Sequence, residues 1–294
     1  MEPRENGFII WESEAGKMKK AKKNKKKIIS CVILTIVSVA LLFPFLILVT
    51  TSFKPTGETY ELPVTVFPKE WTLQGYRDAF DQMPFLVYLK NSLFLAVMNV
   101  IGTLVSCPLV AYSLSRIEWK GRNTLFVVTL AVIMIPGAVT MVPVYLIWNK
   151  FGLIGTYYPL IIGSFLGTPF YIFMLRQFFM GLPKSLEDAA RIDGCSEFGI
   201  YFRIFLPLMK TALVTISVLQ FSTTWNDFMG PLIYLQEESM YTLQIGLQAF
   251  KGMHNTTIPA QMAAAFLVTV PMIVLFFFAQ KHFTEGITFS GIKG

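Results

Sequence analysis

Residues 182–213 read Leu-Pro-Lys-Ser-Leu-Glu-Asp-Ala-Ala-Arg-Ile-Asp-Gly-Cys-Ser-Glu-Phe-Gly-Ile-Tyr-Phe-Arg-Ile-Phe-Leu-Pro-Leu-Met-Lys-Thr-Ala-Leu. The stretch is polar and helix-forming, yet it lies between long apolar runs. Ser185, with Asp188 three residues on and Pro183 just upstream, predicts a capping box. Leu182, Leu186, Ala189 and Ala190 fall at i, i+4, i+7 and i+8, one face of a short helix. Gly194 sits where a left-handed C-terminal cap belongs. Ser196 is placed to cap a second helix carrying Phe198, Tyr201, Phe202 and Phe205, and Pro207 marks a kink or the start of the next apolar run. The expectation is a helix–turn–helix with a small-residue face, held at a membrane surface.

The rest of the chain supplies the membrane. Of its 294 residues 54% are hydrophobic and 15% charged; a soluble domain has about a quarter charged. Six runs reach the roughly 20 residues that cross a bilayer. They are 28–50, 91–114, 125–148, 158–179, 206–235 and 262–283. Pro44, Pro108, Pro136 with Gly137, Pro169, Pro231 and Pro271 interrupt them, as neighbouring helices permit. The predicted fold class is an all-α polytopic membrane protein with six transmembrane helices. The divisions are a basic segment 1–27, a first span 28–50, a loop 51–90, a five-helix core 91–283 containing the loop 180–205, and a tail 284–294.

Charge orients these spans. Residues 1–27 hold nine of the 25 Lys and Arg. With the N-terminus inside, nineteen basic residues fall on the inner side and six on the outer. The positive-inside rule therefore puts both termini and the 180–205 loop in the cytoplasm. A basic run can signal nucleic acid; beside an apolar span it reads as a flank attracted to anionic lipid, and no nucleic-acid partner is expected. The first run is too long for a signal-peptide core and should stay as a span. Cys31, Cys107 and Cys195 are scattered without metal or disulfide spacing.

The loop's residues also carry a resemblance. Ala189-Ala190, three residues, Gly194, nine residues, Ile204, one residue and Leu206-Pro207 are similar to the EAA loop of ABC importer permeases, of the maltose-type carbohydrate group. That family's Glu six residues before the Gly is Asp188 here, with Glu187 beside it. The resemblance implies a cytoplasmic coupling helix, with Glu187, Asp188, Ala189, Ala190 and Gly194 meeting a groove of an ATPase subunit. It implies a homologous second permease subunit, two ATPase subunits and an extracytoplasmic solute-binding protein as partners, with ATP and magnesium held by the ATPase. The cargo it implies is an oligosaccharide or related polyol.

Other stretches fit the same group. Phe67 to Phe80 is similar to the segment before that family's second span, and Asn91-Ser92-Leu93 to the span's start. Trp71 and Tyr76 also suit interfacial anchors. Trp225-Asn226-Asp227-Phe228 resembles the Trp-Asn-x-Phe feature of carbohydrate permeases. A stacking ring beside an amide suits a sugar, which makes Trp225, Asn226, Asp227 and Asn91 pathway candidates. Equally, the polar pair can fix helix packing or cap the unwound turn before Pro231. Residues 286–294 resemble the family's short tail, and the loop 236–261 could meet a docked binding protein.

Catalytic chemistry is not expected. The chain has no Gly-x-x-x-x-Gly-Lys-Ser/Thr phosphate loop. Its two histidines, His254 and His282, lack metal spacing, and no Ser–His–Asp or paired-carboxylate site is suggested. The rival reading is an ion-coupled secondary transporter, which would want repeats and carboxylates in its spans; Asp227 is the exception among spans nearly free of them.

Overall fold

In the computed structural model, which describes residues 5–250 and 257–289, every regular element is a helix. Hydrocarbon offers no partner for a backbone amide, so an apolar run satisfies its own N–H and C=O groups by coiling. Four helices are long and apolar enough to span: Lys27–Ser52, Phe85–Ser115, Tyr158–Met180 and Ile258–Lys281. Two further spans are bent pairs. Arg122–Ile133 meets Gly137–Lys150 at 103°, and Glu197–Leu208 meets Lys210–Trp225 at 76°.

Helix α1 (Glu5–Ser52) carries the basic run and the first span as one continuous helix, so the division at residue 27 is one of composition only. The short helix α2 (Gln74–Gln82) packs against the start of α14 (Ile258–Phe289). Helix α3 (Phe85–Ser115) begins six residues before the predicted start at Asn91. It is the axis of the fold, lying along α6 (Tyr158–Leu166), α7 (Pro169–Met180) and α11 (Lys210–Trp225). Small buried residues, Ala96, Gly102, Thr103, Ser106 and Ala111, allow that closeness. A Cβ on Gly102 would come within 2.5 Å of Ser164 Oγ.

The predicted third, fourth and fifth spans are all broken, each for a local reason. Pro136 has no N–H to continue α4 (Arg122–Ile133), so α5 (Gly137–Lys150) starts afresh. Gly167, at φ +97°, turns the chain between α6 and α7. The freed Thr168 N–H donates to Cys107 Sγ at 3.3 Å, and Ser106 Oγ–H donates to the Ser164 carbonyl at 2.7 Å. The fifth run divides into α10 (Leu206–Leu208), α11 and α12 (Met229–Tyr234), with non-helical residues 226–228 between the last two.

Two buried clusters mark the ends of α3. One gathers Tyr112, Leu175, Phe179, Ile200, Phe205 and Ile216. The other gathers Met83, Phe85, Tyr88, Trp225, Leu243 and Phe250, closed by Ala260, Ala263 and Ala264 of α14.

The loop between α1 and α2 is built around a buried carboxylate. Glu58 accepts from Thr65 Oγ1–H at 2.7 Å and from the Lys69 N–H at 3.0 Å, with Lys54 Nζ 4.0 Å away. Lys54 in turn donates to the Thr65 carbonyl and, at 3.1 Å, to Thr65 Oγ1. Burial pushes the Glu58 carboxyl up, but the Thr65 and Lys69 hydrogen bonds, with Lys54 beside them, outweigh it and hold the group below its usual range. A lowered folded value means the contribution is present above the ordinary carboxylate pKa of about 4.3 and fades as pH falls through the folded value. Limited proteolysis within residues 53–73 is expected to accelerate only below that ordinary value. Glu58→Gln should be cut quickly at every pH, and an acid transition that persists unchanged in Glu58→Gln would contradict this account.

Candidate coupling surface and translocation pathway

The helix–turn–helix forms as expected in outline and differs in detail. Helix α8 (Ser185–Ile192) starts at an N-cap of Lys184, with no side-chain capping bond. The Ser185 capping box does not form, because the Glu187 and Asp188 amides bond to the Lys184 carbonyl one residue earlier. Gly194 holds φ +77°, and the turn closes with Cys195 N–H bonded to the Ala190 carbonyl at 2.9 Å. Helix α9 (Glu197–Ile200) is capped as predicted: Ser196 Oγ accepts from the Gly199 N–H at 3.2 Å. A π-turn over Tyr201–Phe205 then leads into α10. Such a bulge turns the aromatic side chains relative to a regular helix.

The two faces of α8 separate the candidate coupling residues. Ala190 points inward, 5% exposed among Tyr112, Phe179 and Ile200. Its small size therefore serves this chain's own packing, and it does not belong to the outward contact face. Glu187 is also turned inward, 4% exposed, with Oε1 3.6 Å from Arg116 Nη1. Asp188, Ala189 and Gly194 face outward. With them stand Leu186, Ile192, Phe198 and Phe202, all exposed. Exposed apolar side chains in a polar loop make this face a candidate interaction surface. Behind it, Arg191 Nε–H donates to Glu197 Oε1 at 2.9 Å, and Tyr112 Oη–H donates to Glu197 Oε2 at 3.0 Å, so the two short helices are tied to each other and to α3.

The pathway candidates also separate. Trp225 is 3% exposed, its Nε1–H donates to the Val268 carbonyl at 3.1 Å, and its ring stacks on Phe221 at 5.4 Å. Buried in this way, it packs α11 against α14. Asn91 is likewise a tie: its Nδ2–H₂ donates to the carbonyls of Ser239 and Tyr241 at 2.8 and 2.9 Å. It fastens the segment before α13 (Leu243–Ala249), with Leu243 N–H donating to Ser92 Oγ alongside. Asn226 is exposed and bonds back to the Ser222 carbonyl. Asp227 Oδ1 accepts from the Gly230 N–H at 3.0 Å and so caps the first turn of α12.

Asp227 also lines a cavity of about 140 Å³ with Asn99, Gln220, Thr223 and Thr224. Asn99 donates to the Leu95 carbonyl and Gln220 to Thr224 Oγ1. Amides, hydroxyls and one carboxylate thus face a single hollow between α3, α6 and α11. Asn99 and Gln220 were readable as polar side chains inside apolar runs. Arg116 and Tyr112 were not, since their partners lie about sixty to ninety residues further along the chain. The described residues contain no cluster of three or more His, Cys, Asp or Glu able to hold a metal. His254 lies outside the described residues.

Comparison with known proteins agrees with this architecture. The chain is 36% identical to the arabinooligosaccharides transport system permease protein AraQ of Bacillus subtilis over 262 residues, covering 87% of this chain and 92% of that protein. It is 34% identical to the inner membrane ABC transporter permease protein YcjP of Escherichia coli over 256 residues, covering 86% and 91%. The diacetylchitobiose uptake system permease protein DasC of Streptomyces coelicolor is 30% identical over 257 residues, covering 87% and 93%. Among solved structures, a chain of a bacterial ABC transporter involved in import of the acidic polysaccharide alginate superposes with a TM-score of 0.78 at 23% identity, over 89% of this chain and 98% of that one; the fold is shared. Residues 99–288, which include the 180–205 loop and the polar hollow, match the family described as the binding-protein-dependent transport system inner membrane component, and the chain belongs to that family, as a multi-pass protein of the cell membrane.

Proposed function

We propose that this chain is one of two permease subunits of an ATP-driven importer and forms half of the path of a carbohydrate, an oligosaccharide or related polyol. The observation that carries the cargo class is the polar hollow of Asn99, Gln220, Thr223, Thr224 and Asp227, read beside relatives named for arabinooligosaccharides and diacetylchitobiose. Amides and hydroxyls match sugar hydroxyls one for one. At about 140 Å³ the hollow is well below the roughly 300 Å³ of an ordinary ligand pocket. It needs a second wall, which a homologous permease supplies. Asp227 and Asn226 line the path, while Trp225 and Asn91 hold its frame.

Energy comes from outside the chain. Asp188, Ala189 and Gly194, with the apolar side chains around them, seat in a groove of an ATPase subunit that binds and hydrolyses ATP with magnesium; the permease chain itself hydrolyses nothing. Glu187 and Ala190 hold the coupling helix from behind. A solute-binding protein delivers the sugar at the opposite end, where the loops 53–73 and 235–242 lie. Both termini and α8 are cytoplasmic. An ion-coupled mechanism is the less favoured reading, because Asp227 is bonded into the α12 cap.

Two experiments test this. In proteoliposomes containing both permeases, the ATPases and the binding protein, uptake of labelled oligosaccharide should require ATP inside and ignore proton and sodium gradients. Uptake driven by a gradient without ATP would overturn the proposal. For orientation, in a background without native cysteines, Tyr60→Cys should react with an impermeant maleimide in sealed cells and Ser185→Cys should not; the reverse pattern would invert the topology.

A further inference from the structure

One buried side chain joins four elements at the coupling end of the molecule. Arg116, 6% exposed, follows the last residue of α3. Its Nη2 donates to the Phe179 carbonyl and, at 2.6 Å, to the Leu182 carbonyl, beyond the end of α7. Its Nη1 lies 3.6 Å from Glu187 Oε1 on α8. Its guanidinium carbon stands 5.0 Å from the ring centre of Phe205, where the chain turns toward α11. Among the described residues, Arg116 Nε and Glu187 Oε2 are buried without a hydrogen-bond partner. Buried ionised groups are costly, and their cost is largest when they are not fully satisfied. An apolar pair of the same volume would hold these helices together at least as well.

We infer that Arg116 is a positioning residue which, through Glu187, clamps the coupling helix to the ends of three membrane-spanning segments, so that movement of α8 is passed to α3, α7 and α11 as one body. This rests on the proposed seating of α8 in the ATPase. The chemistry suits a clamp. A planar guanidinium directs several donors at fixed angles, here to two carbonyls with a carboxylate 3.6 Å away, and its carbon stands over an aromatic ring. An ammonium in the same place cannot reproduce that fork. Because Glu187 is turned away from the outward face of α8, its loss leaves the docking surface intact. Glu187→Gln keeps the shape and removes the charge that links α8 to Arg116.

The complete complex, with both permeases, ATPases and binding protein, is reconstituted in proteoliposomes, and transport and ATP hydrolysis are measured together. Glu187→Gln should assemble and hydrolyse ATP near the native rate, with substrate moved per ATP reduced about tenfold, within the usual range for coupling between sites. Arg116→Lys should show a smaller loss of the same ratio. A native ratio in Glu187→Gln would overturn the inference, and so would failure of both variants to assemble, which would make the pair structural. Ala189→Trp, on the outward face, separates this from the reading beneath it. If Ala189→Trp releases the ATPase while Glu187→Gln keeps its native ratio, the clamp fails and the seating stands. If Ala189→Trp keeps the ATPase, the seating itself fails.

Discussion

Replacing Gly75 by valine is expected to prevent α2 from closing on α1 and α14, and to lower the thermal stability of the purified permease more than any surface change in the loop before it. Gly75 is the second residue of α2, wedged between the end of α1 and the start of α14. A Cβ there would lie 2.9 Å from the Pro259 carbonyl carbon, its oxygen and the Ser52 oxygen. All three are backbone atoms of other helices, so no rotamer change relieves the clash. Overpacking of a tight site costs about 1–3 kcal/mol, and valine adds two further methyl groups beyond the first. Tyr76 reports the same contact, since its hydroxyl lies 2.8 Å from Ser52 Oγ and its ring packs on Phe53. Gly75→Val should therefore lower the melting temperature and shift the protein toward aggregate on size exclusion, with Gly75→Ala between it and the native chain. An unchanged melting temperature for Gly75→Val would show that α2 is not packed in this way.

Tyr76 also illustrates where sequence reading stops. Like Trp71 it suited an interfacial anchor; the fold ties it to the end of α1, while Trp71 stays exposed. The all-α architecture, the number of apolar runs and the turn at Gly194 were legible because each depends on neighbours in the chain: run length, proline, or a position that favours positive φ. Ser196 was legible for the same reason, through the amide three residues on. What escaped were contacts made across the chain. Nothing near Ala190 distinguishes it from Ala189, and only the cluster that holds Tyr112, Phe179 and Ile200 takes one inward and leaves the other exposed. Trp225 beside Asn226 suited a sugar platform and a packing pair equally; the partners of the indole, Val268 from elsewhere in the fold and Phe221 one helical turn back, were not legible. Arg116 counted only as one basic residue of the inner side, since its carboxylate partner lies far along the chain at Glu187.

The largest functional consequence is expected on the outward face of α8 and α9. Ala189 is exposed, so a larger side chain there meets no atom of this chain's core, whereas Ala190 is buried in the cluster that includes Tyr112, Phe179 and Ile200. Ala190→Trp is accordingly expected to disrupt the loop itself, and Ala189→Trp to leave it folded. In a seated complex Ala189→Trp must be accommodated between two packed surfaces, at a cost of about 1–3 kcal/mol, which is about tenfold to a hundredfold in affinity. The most direct measurement is co-purification of the ATPase with the Ala189→Trp permease from membranes, beside ATP hydrolysis stimulated by the loaded binding protein. The account predicts a permease that inserts and stays soluble in detergent as the native chain does, with ATPase recovery and stimulated hydrolysis both reduced at least tenfold. An Ala189→Trp permease that recovers the ATPase and its stimulated hydrolysis at the native level would contradict it.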